Sequence, residues 1–110
     1  MDGLLNEKVA IVTGASRERG IGLATAKLFA EHGAIVVLTD LDGDDARRAA
    51  GDVGARHLGL ACDVTDRDAC VAVADDAIRR FGRIDVLVNN AGVTQRRGVM
   101  DVTPEDYALV

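Results

Sequence analysis

A single proline, two cysteines and no apolar run longer than roughly eight residues set the first limits on this 110-residue chain. Crossing a bilayer as a helix takes about 20 consecutive apolar residues. The apolar runs here are roughly five to eight residues long, separated by Gly and Asp, so no membrane partner is expected. The start after Met1 is acidic, with no basic segment leading into a long apolar stretch. Neither a secretory signal nor a transit peptide is read there, and a cytoplasmic address is the expectation. Cys62 and Cys70 lack metal-ligand spacing and lie in apolar surroundings. In a reducing compartment they read as thiols that pack as small buried hydrophobes. His32 and His57 are isolated from each other and from any acid–nucleophile arrangement, so no metal site is assigned. An excess of positive charge is also missing: 18 acidic residues face 13 basic ones, for a net charge of −5. With the arginines scattered rather than lined up, nucleic acid is excluded as a partner.

What the chain does have is 48% apolar residues, enough for one compact domain but not for two. Val9-Ala10-Ile11-Val12 is an apolar run ending at Thr13-Gly14, as expected of a strand buried on both faces in a parallel sheet. Ile21, Ala24 and Leu28 then make a helical stripe closed by Gly33. Residues 34–38 repeat the β-rich pattern and end in Thr39-Asp40, after which Asp42-Gly43 caps a short Ala/Arg helix. The third strand, within residues 56–62, is the least regular, mixing polar and small residues before Asp63-Val64. Thr65 and Asp68 form a capping pattern for a helix in which Val71, Ala74, Ile78 and Phe81 share a face and Gly82 is the stop. Residues 84–89 give a fourth strand. A polar segment follows over 94–101, and Thr103-Pro104-Glu105-Asp106 opens another helix.

Strands alternating with helices at this spacing predict an α/β fold, a doubly wound parallel sheet of Rossmann type in the order 3-2-1-4. Strand 4 would then be an edge, although it is apolar enough to be paired on both sides. Ligands of such sheets bind outside the carboxyl ends of the strands, near the point where strand order reverses. Thr13-Gly14, Asp40, Asp63 and Asn89-Asn90-Ala91-Gly92 end the four strands in turn, so polar groups distant in sequence converge on one crevice. Gly14, Gly20 and Gly22 span the turn from strand 1 into helix 1, where missing side chains let a diphosphate approach the helix N-terminal amides. Asp40 stands twenty residues past Gly20, where a carboxylate accepts hydrogen bonds from an adenosine ribose.

In four landmarks that occur in order, Thr13-Gly14-Ala15-Ser16, Gly20-Ile21-Gly22, Asp63-Val64 and Asn89-Asn90-Ala91-Gly92, the chain resembles the short-chain dehydrogenase/reductase family. The resemblance runs over essentially its whole length. It implies that residues 1–110 are the N-terminal portion of an NAD(P)-binding domain that ends early in the fourth helix. It further implies an adenine pocket lined by Asp63 and Val64, and a ribose and nicotinamide side bordered by Asn90, Ala91 and Gly92. Ser16 and Arg17 would cover the adenosine ribose, and Ile21 would pack beneath the diphosphate. Asn89 stays open between a strand-tying role and cofactor contact. NAD is the expected cofactor, with NADP the alternative. The implied activity of the parent protein is interconversion of a secondary alcohol and a ketone, with self-association into a homo-oligomer left open.

The sequence departs from the family pattern twice. Five residues rather than three separate Gly14 from Gly20, which leaves open whether Arg17, Glu18 or Arg19 faces the cofactor. The family's catalytic serine, Tyr-x-x-x-Lys and helix-4 asparagine would lie beyond Val110, so no catalytic residue is assigned. Tyr107 has no lysine partner and reads as a packing or surface residue. The chain alone is therefore expected to be inactive. Competing readings are a non-catalytic dinucleotide-binding module and an inactive fragment.

Overall fold

A computed structural model of the chain describes residues 3–91. In chain order the elements are β1 (Val9–Val12), α1 (Ile21–Glu31), β2 (Ile35–Asp40), α2 (Gly43–Val53), β3 (Leu58–Ala61), α3 (Arg67–Phe81) and β4 (Val86–Val88). Gly92, the 94–101 segment, the expected helix at Thr103 and Tyr107 lie outside the described residues. No helix among the described residues is long and apolar enough to cross a membrane.

The four strands are parallel in the order β3-β2-β1-β4, as the alternating pattern predicts. Val9 pairs with Ile35, Ile11 with Leu87 and Val37 with Leu58, so the carboxyl ends of all four strands fall on one side. Because side chains alternate along a strand, each face of the sheet builds its own core. On one face Val12, Val36 and Leu38 pack with Leu23, Ala26, Ala49 and Ala50 of α1 and α2. On the other, Ile11, Val37 and Cys62 meet Val73 and Ala77 of α3.

Two expected helix faces are corrected. In α1 the buried residues are Gly22, Leu23 and Ala26, whereas Ile21 is 78% and Leu28 50% exposed. In α3 they are Val73 and Ala77, whereas Val71 and Ile78 are each 48% exposed. In each helix the fully enclosed position is an alanine, Ala26 in α1 and Ala77 in α3, on a face the bulky stripe does not share. The α3 cap is also one residue from its expected place. Asp66 accepts from the amides of Asp68 and Ala69, at 3.0 and 3.3 Å, and Thr65 is turned back onto Asp63. The cap of α2 is Asp42, as read from sequence, accepting from Asp44 and Asp45.

At the amino end of β3, His57 Nδ1 accepts the Val36 amide at 3.0 Å, one residue before β2 begins to pair with β3. That bond needs an unprotonated Nδ1. Partial burial, and then the charge of Arg56, hold the imidazole pKa below its ordinary 6.5. Above 6.5 the folded and unfolded chains are both neutral at this ring. As pH falls below it the unfolded chain takes up the proton first, and stability is lost until the folded value is passed. His57→Gln, which keeps an acceptor but cannot titrate, is expected to flatten this part of the pH dependence. Urea midpoints at about pH 8 and about pH 5.5 for both proteins check it, an unchanged difference being the contrary result.

Candidate functional site

The carboxyl ends of the strands are stitched together by side chains from three of them. Thr13, one residue past β1, accepts the amides of Asn90 and Ala91 on its hydroxyl, each at 3.1 Å, and offers its own proton to the Val88 carbonyl at 3.4 Å. The side-chain amide of Asn90 donates to the Gly14 carbonyl at 3.0 Å. Thus the exit of β4 is fastened to the glycine loop at the point where strand order reverses. Gly14 has a φ of +62°, and a Cβ there would stand 2.7 Å from the Ala91 Cα. A Cβ on Gly22 would stand 2.6 Å from the Asn90 amide nitrogen and 2.9 Å from the Gly14 carbonyl. Both glycines are therefore needed for three backbone segments to meet.

From the other side, β2 contributes Asp40. Its Oδ2 accepts from the Ser16 amide at 3.0 Å and the Ser16 hydroxyl at 2.5 Å, and its Oδ1 from the Leu41 amide at 2.8 Å. Partial burial raises the Asp40 pKa. The Ser16 and Leu41 hydrogen bonds and the nearby Arg17 charge outweigh it, so the carboxyl is held below its ordinary value and is ionised at neutral pH. Arg48, on α2, reaches the Ser16 carbonyl at 3.4 Å and ties the same loop to a third element.

The two extra loop residues are absorbed locally. The Gly20 amide donates to the Arg17 carbonyl at 2.9 Å, closing a turn with Glu18 and Arg19 at its tip. Arg17, Glu18 and Arg19 are all exposed, and with Gly20 they line an open depression of about 380 Å³. A larger depression of about 660 Å³, bounded by Lys27, Glu31, Asp52, Arg56 and His57, opens beside the loop entering β3, at the opposite end of the sheet.

Just behind the turn, α1 begins without a side-chain cap and without an acid in its first turn. In contrast, α2 and α3 are each capped by an aspartate and carry acids there. The first amides of a helix have no intrahelical partner and sit at the positive end of its dipole. At α1 they receive no side-chain cap and no first-turn acid, an arrangement suited to a bound phosphate.

At the end of β3, Asp63 Oδ1 accepts from the amide and hydroxyl of Thr65, at 2.9 and 2.6 Å, which lowers the Asp63 pKa. Its neighbour Val64 is 44% exposed. The fold therefore brings Gly14, Ser16, Arg17, Gly20, Ile21, Gly22, Asp40, Asp63, Val64, Asn90 and Ala91 to the carboxyl ends of the sheet. Within that set Ser16 spends its hydroxyl on Asp40, and the strand-tying amide is that of Asn90, a role the sequence leaves open for Asn89. Sequence reasoning placed Thr13 at the crevice without giving it a role, and it passed over Arg48. A polar residue closing an otherwise apolar β1 was the signal for Thr13. Nothing local marks Arg48, whose partner is thirty-two residues away.

Thr13→Val is expected to destabilise the fold by about 1–3 kcal/mol, because it takes the hydroxyl acceptor from the Ala91 amide without replacing it. Thr13→Ser should restore most of the loss. Denaturant midpoints of the three proteins decide, and a valine variant as stable as the parent would remove Thr13 from this role.

A doubly wound sheet with a glycine loop at the topological switch point and an acid closing β2 defines a Rossmann-type fold. The family model described as enoyl-(acyl carrier protein) reductase matches residues 14–110. An uncharacterized short-chain type dehydrogenase/reductase of Sinorhizobium fredii is 46% identical over 97% of this chain and 44% of its own length. Cis-4-hydroxycyclohexanecarboxylate dehydrogenase of Sinomonas cyclohexanicum is 50% identical over 81% of this chain and 36% of its own length. The crystal structure of a 3-ketoacyl-(acyl-carrier-protein) reductase from Brucella melitensis complexed with NADH superposes with a TM-score of 0.86 at 39% identity, covering 94% of this chain and 42% of that one. The chain belongs to the short-chain dehydrogenase/reductase family. It spans less than half the length of these relatives.

Proposed function

We propose that this chain binds a nicotinamide dinucleotide at the carboxyl ends of its strands and that the intact protein uses it to interconvert a secondary alcohol and a ketone. The observation that carries the reading is the uncapped N-terminus of α1 behind the glycine loop, with the ionised Asp40 beside it. The diphosphate would lie against Gly14, Gly20, Ile21 and Gly22, serving as the anionic cap that α1 lacks. Asp40 would receive an adenosine ribose hydroxyl on the one acceptor site that its three present hydrogen bonds leave, since a carboxylate offers about four lone-pair sites. Arg17 and Ser16 would close over that ribose, Asp63 and Val64 would flank the adenine, and Asn90, Ala91 and Gly92 would border the nicotinamide side. The bound dinucleotide supplies or accepts the hydride. This chain's residues hold and orient it, and no proton-transfer residue is assigned among residues 1–110.

Because Asp40 is charged and faces the ribose, NAD is the assigned cofactor and NADP the alternative. Two of the relatives support the small-alcohol reading by name, cis-4-hydroxycyclohexanecarboxylate dehydrogenase and the D-threitol dehydrogenase of Mycolicibacterium smegmatis, the latter 43% identical over 96% of this chain and 41% of its own length. The test is calorimetric titration of the intact protein with NADH, followed by a steady-state assay with cyclic and linear secondary alcohols. Saturable binding with NAD-dependent turnover is the expected result. Binding without turnover on any alcohol or ketone would favour a non-catalytic dinucleotide module, and absence of binding would refute both.

A further inference from the structure

We propose that Cys62 and Cys70 are a redox-modification site, a dithiol that closes to a disulfide across the Asp63–Val64 loop and thereby weakens dinucleotide binding. The expected effect on affinity rests on the cofactor reading above, whereas the disulfide itself does not. The sequence places the two cysteines eight residues apart and on different elements. Folding brings them together, with the sulfurs 4.0 Å apart. Three contacts fix that approach. The Cys62 amide donates to the Asp40 carbonyl at 2.7 Å, locking it to the end of β2. Asp66 caps α3 through Asp68 and Ala69, turning its first residues back over the end of β3. Cys70 Sγ lies 3.7 Å from the Val64 carbonyl.

The two thiols have unequal access. Cys62 is buried in the core beneath α3, while Cys70 is half-buried in the first turn of that helix. Burial first, and the adjoining Cys70 second, push the Cys62 thiol up to about 11. The first attack on an oxidant therefore belongs to Cys70. With a low-molecular-weight disulfide as oxidant, the Cys70 thiolate attacks one of its sulfurs, forming a mixed disulfide and expelling one thiolate. Cys62 then gives up its proton and attacks the Cys70 sulfur, forming the Cys62–Cys70 bond and expelling the second thiolate. Two protein thiols are oxidised by two electrons, and the small disulfide is reduced to two thiols that take up the two protons.

A disulfide bond is about 2.05 Å long, so closure draws the sulfurs together by about 2 Å. Cys62 is fixed by the core and by β2, so the displacement falls on the first turn of α3 and on the exposed residues between, among them Asp63 and Val64. Those are the residues assigned to the adenine. Losing one hydrogen bond to a charged group there corresponds to about a tenfold loss of affinity.

The intact protein is equilibrated in reduced and in oxidised glutathione, digested with trypsin under non-reducing conditions, and titrated in parallel with NADH. Trypsin cuts at Arg67 and separates residues 57–67 from residues 68–79, so a Cys62–Cys70 bond joins two peptides that are otherwise apart. Expected are the joined peptide in oxidised glutathione only, an NADH affinity about tenfold weaker in that state, recovery on reduction, and no response in Cys70→Ser or Cys62→Ala. Separate peptides after oxidation would overturn the proposal, as would joined peptides with unchanged NADH affinity. If the reduced protein binds no NADH, the cofactor reading falls and the affinity effect with it, and the joined peptide then decides the disulfide alone.

Discussion

Asp40→Ala is expected to weaken NADH binding by the intact protein about tenfold to a hundredfold and to erase its preference for NADH over NADPH. The lower figure is the loss of one hydrogen bond to a charged acceptor at about 1.5 kcal/mol. The upper one adds the loosening of the glycine loop, because Oδ2 of Asp40 also receives both protons that Ser16 offers. The preference has a separate origin. A 2′-phosphate about 4 Å from the carboxylate would be repelled by about 4 kcal/mol at an effective dielectric of 20, and an open cleft reduces that considerably. Asp40→Asn separates the two effects, since it keeps an acceptor for Ser16 but removes the charge. It should lose most of the cofactor preference and little of the loop. Arg17, whose charge reaches Asp40, would then favour a 2′-phosphate. Calorimetric titration of both cofactors into the three proteins measures this, and an unchanged NADH to NADPH ratio in both variants would remove Asp40 as the discriminator.

The same carboxylate ties cofactor recognition to acid stability. Its folded pKa is below the ordinary value of 3.8, so its hydrogen bonds contribute fully above that pH. Their contribution is lost as pH falls through the folded value. The Ser16 latch therefore holds throughout the neutral range and opens only in strong acid.

Gly59→Ala is expected to be the most damaging small substitution in the fold, costing about 3 kcal/mol or more, at the upper end of what overpacking a core does. Gly59 lies in β3 and pairs with Leu38. A Cβ there would stand 2.2 Å from the Ala46 carbonyl oxygen and 2.5 Å from the Arg47 amide nitrogen, both backbone atoms of α2. Neither can step aside as a side chain would, so α2 must lift from the sheet and take Ala49 and Ala50 with it. Gly51 is the control, because a Cβ there meets nothing within 4 Å, and Gly51→Ala in a helix interior should be neutral or mildly stabilising. Thermal unfolding of both variants checks the contrast. Equal midpoints would mean that α2 yields without cost.

Gly59 also shows why β3 was the hardest strand to read. A glycine between two leucines weakens a strand pattern, yet here it is what lets α2 lie against the sheet. The helix faces misled for a related reason. Ile21 and Leu28, or Val71 and Ile78, lie seven positions apart and read as a core stripe, but Gly22 with Ala26, and Val73 with Ala77, four positions apart, share a helix face as well. Periodicity finds that a helix has a face without saying which of two faces the sheet will take. Burial singles out the second face in each helix, with Ala26 and Ala77 fully enclosed.

The sequence by itself determined the elements, their alternation, the sheet order and the carboxyl-end location of the polar groups. These depend on runs of neighbouring residues and on the handedness of crossovers, which are local or generic properties. Tertiary structure alone decided the partnerships: Ser16 with Asp40, Thr13 with the Ala91 amide, Asn90 rather than Asn89 with Gly14, and Cys62 against Cys70. Each joins residues on different elements, at separations of eight to seventy-eight positions. Such contacts depend on the register of β1 against β4 and on the depth at which each helix settles. Both are fixed by the packing of the whole core, which no local stretch of sequence encodes.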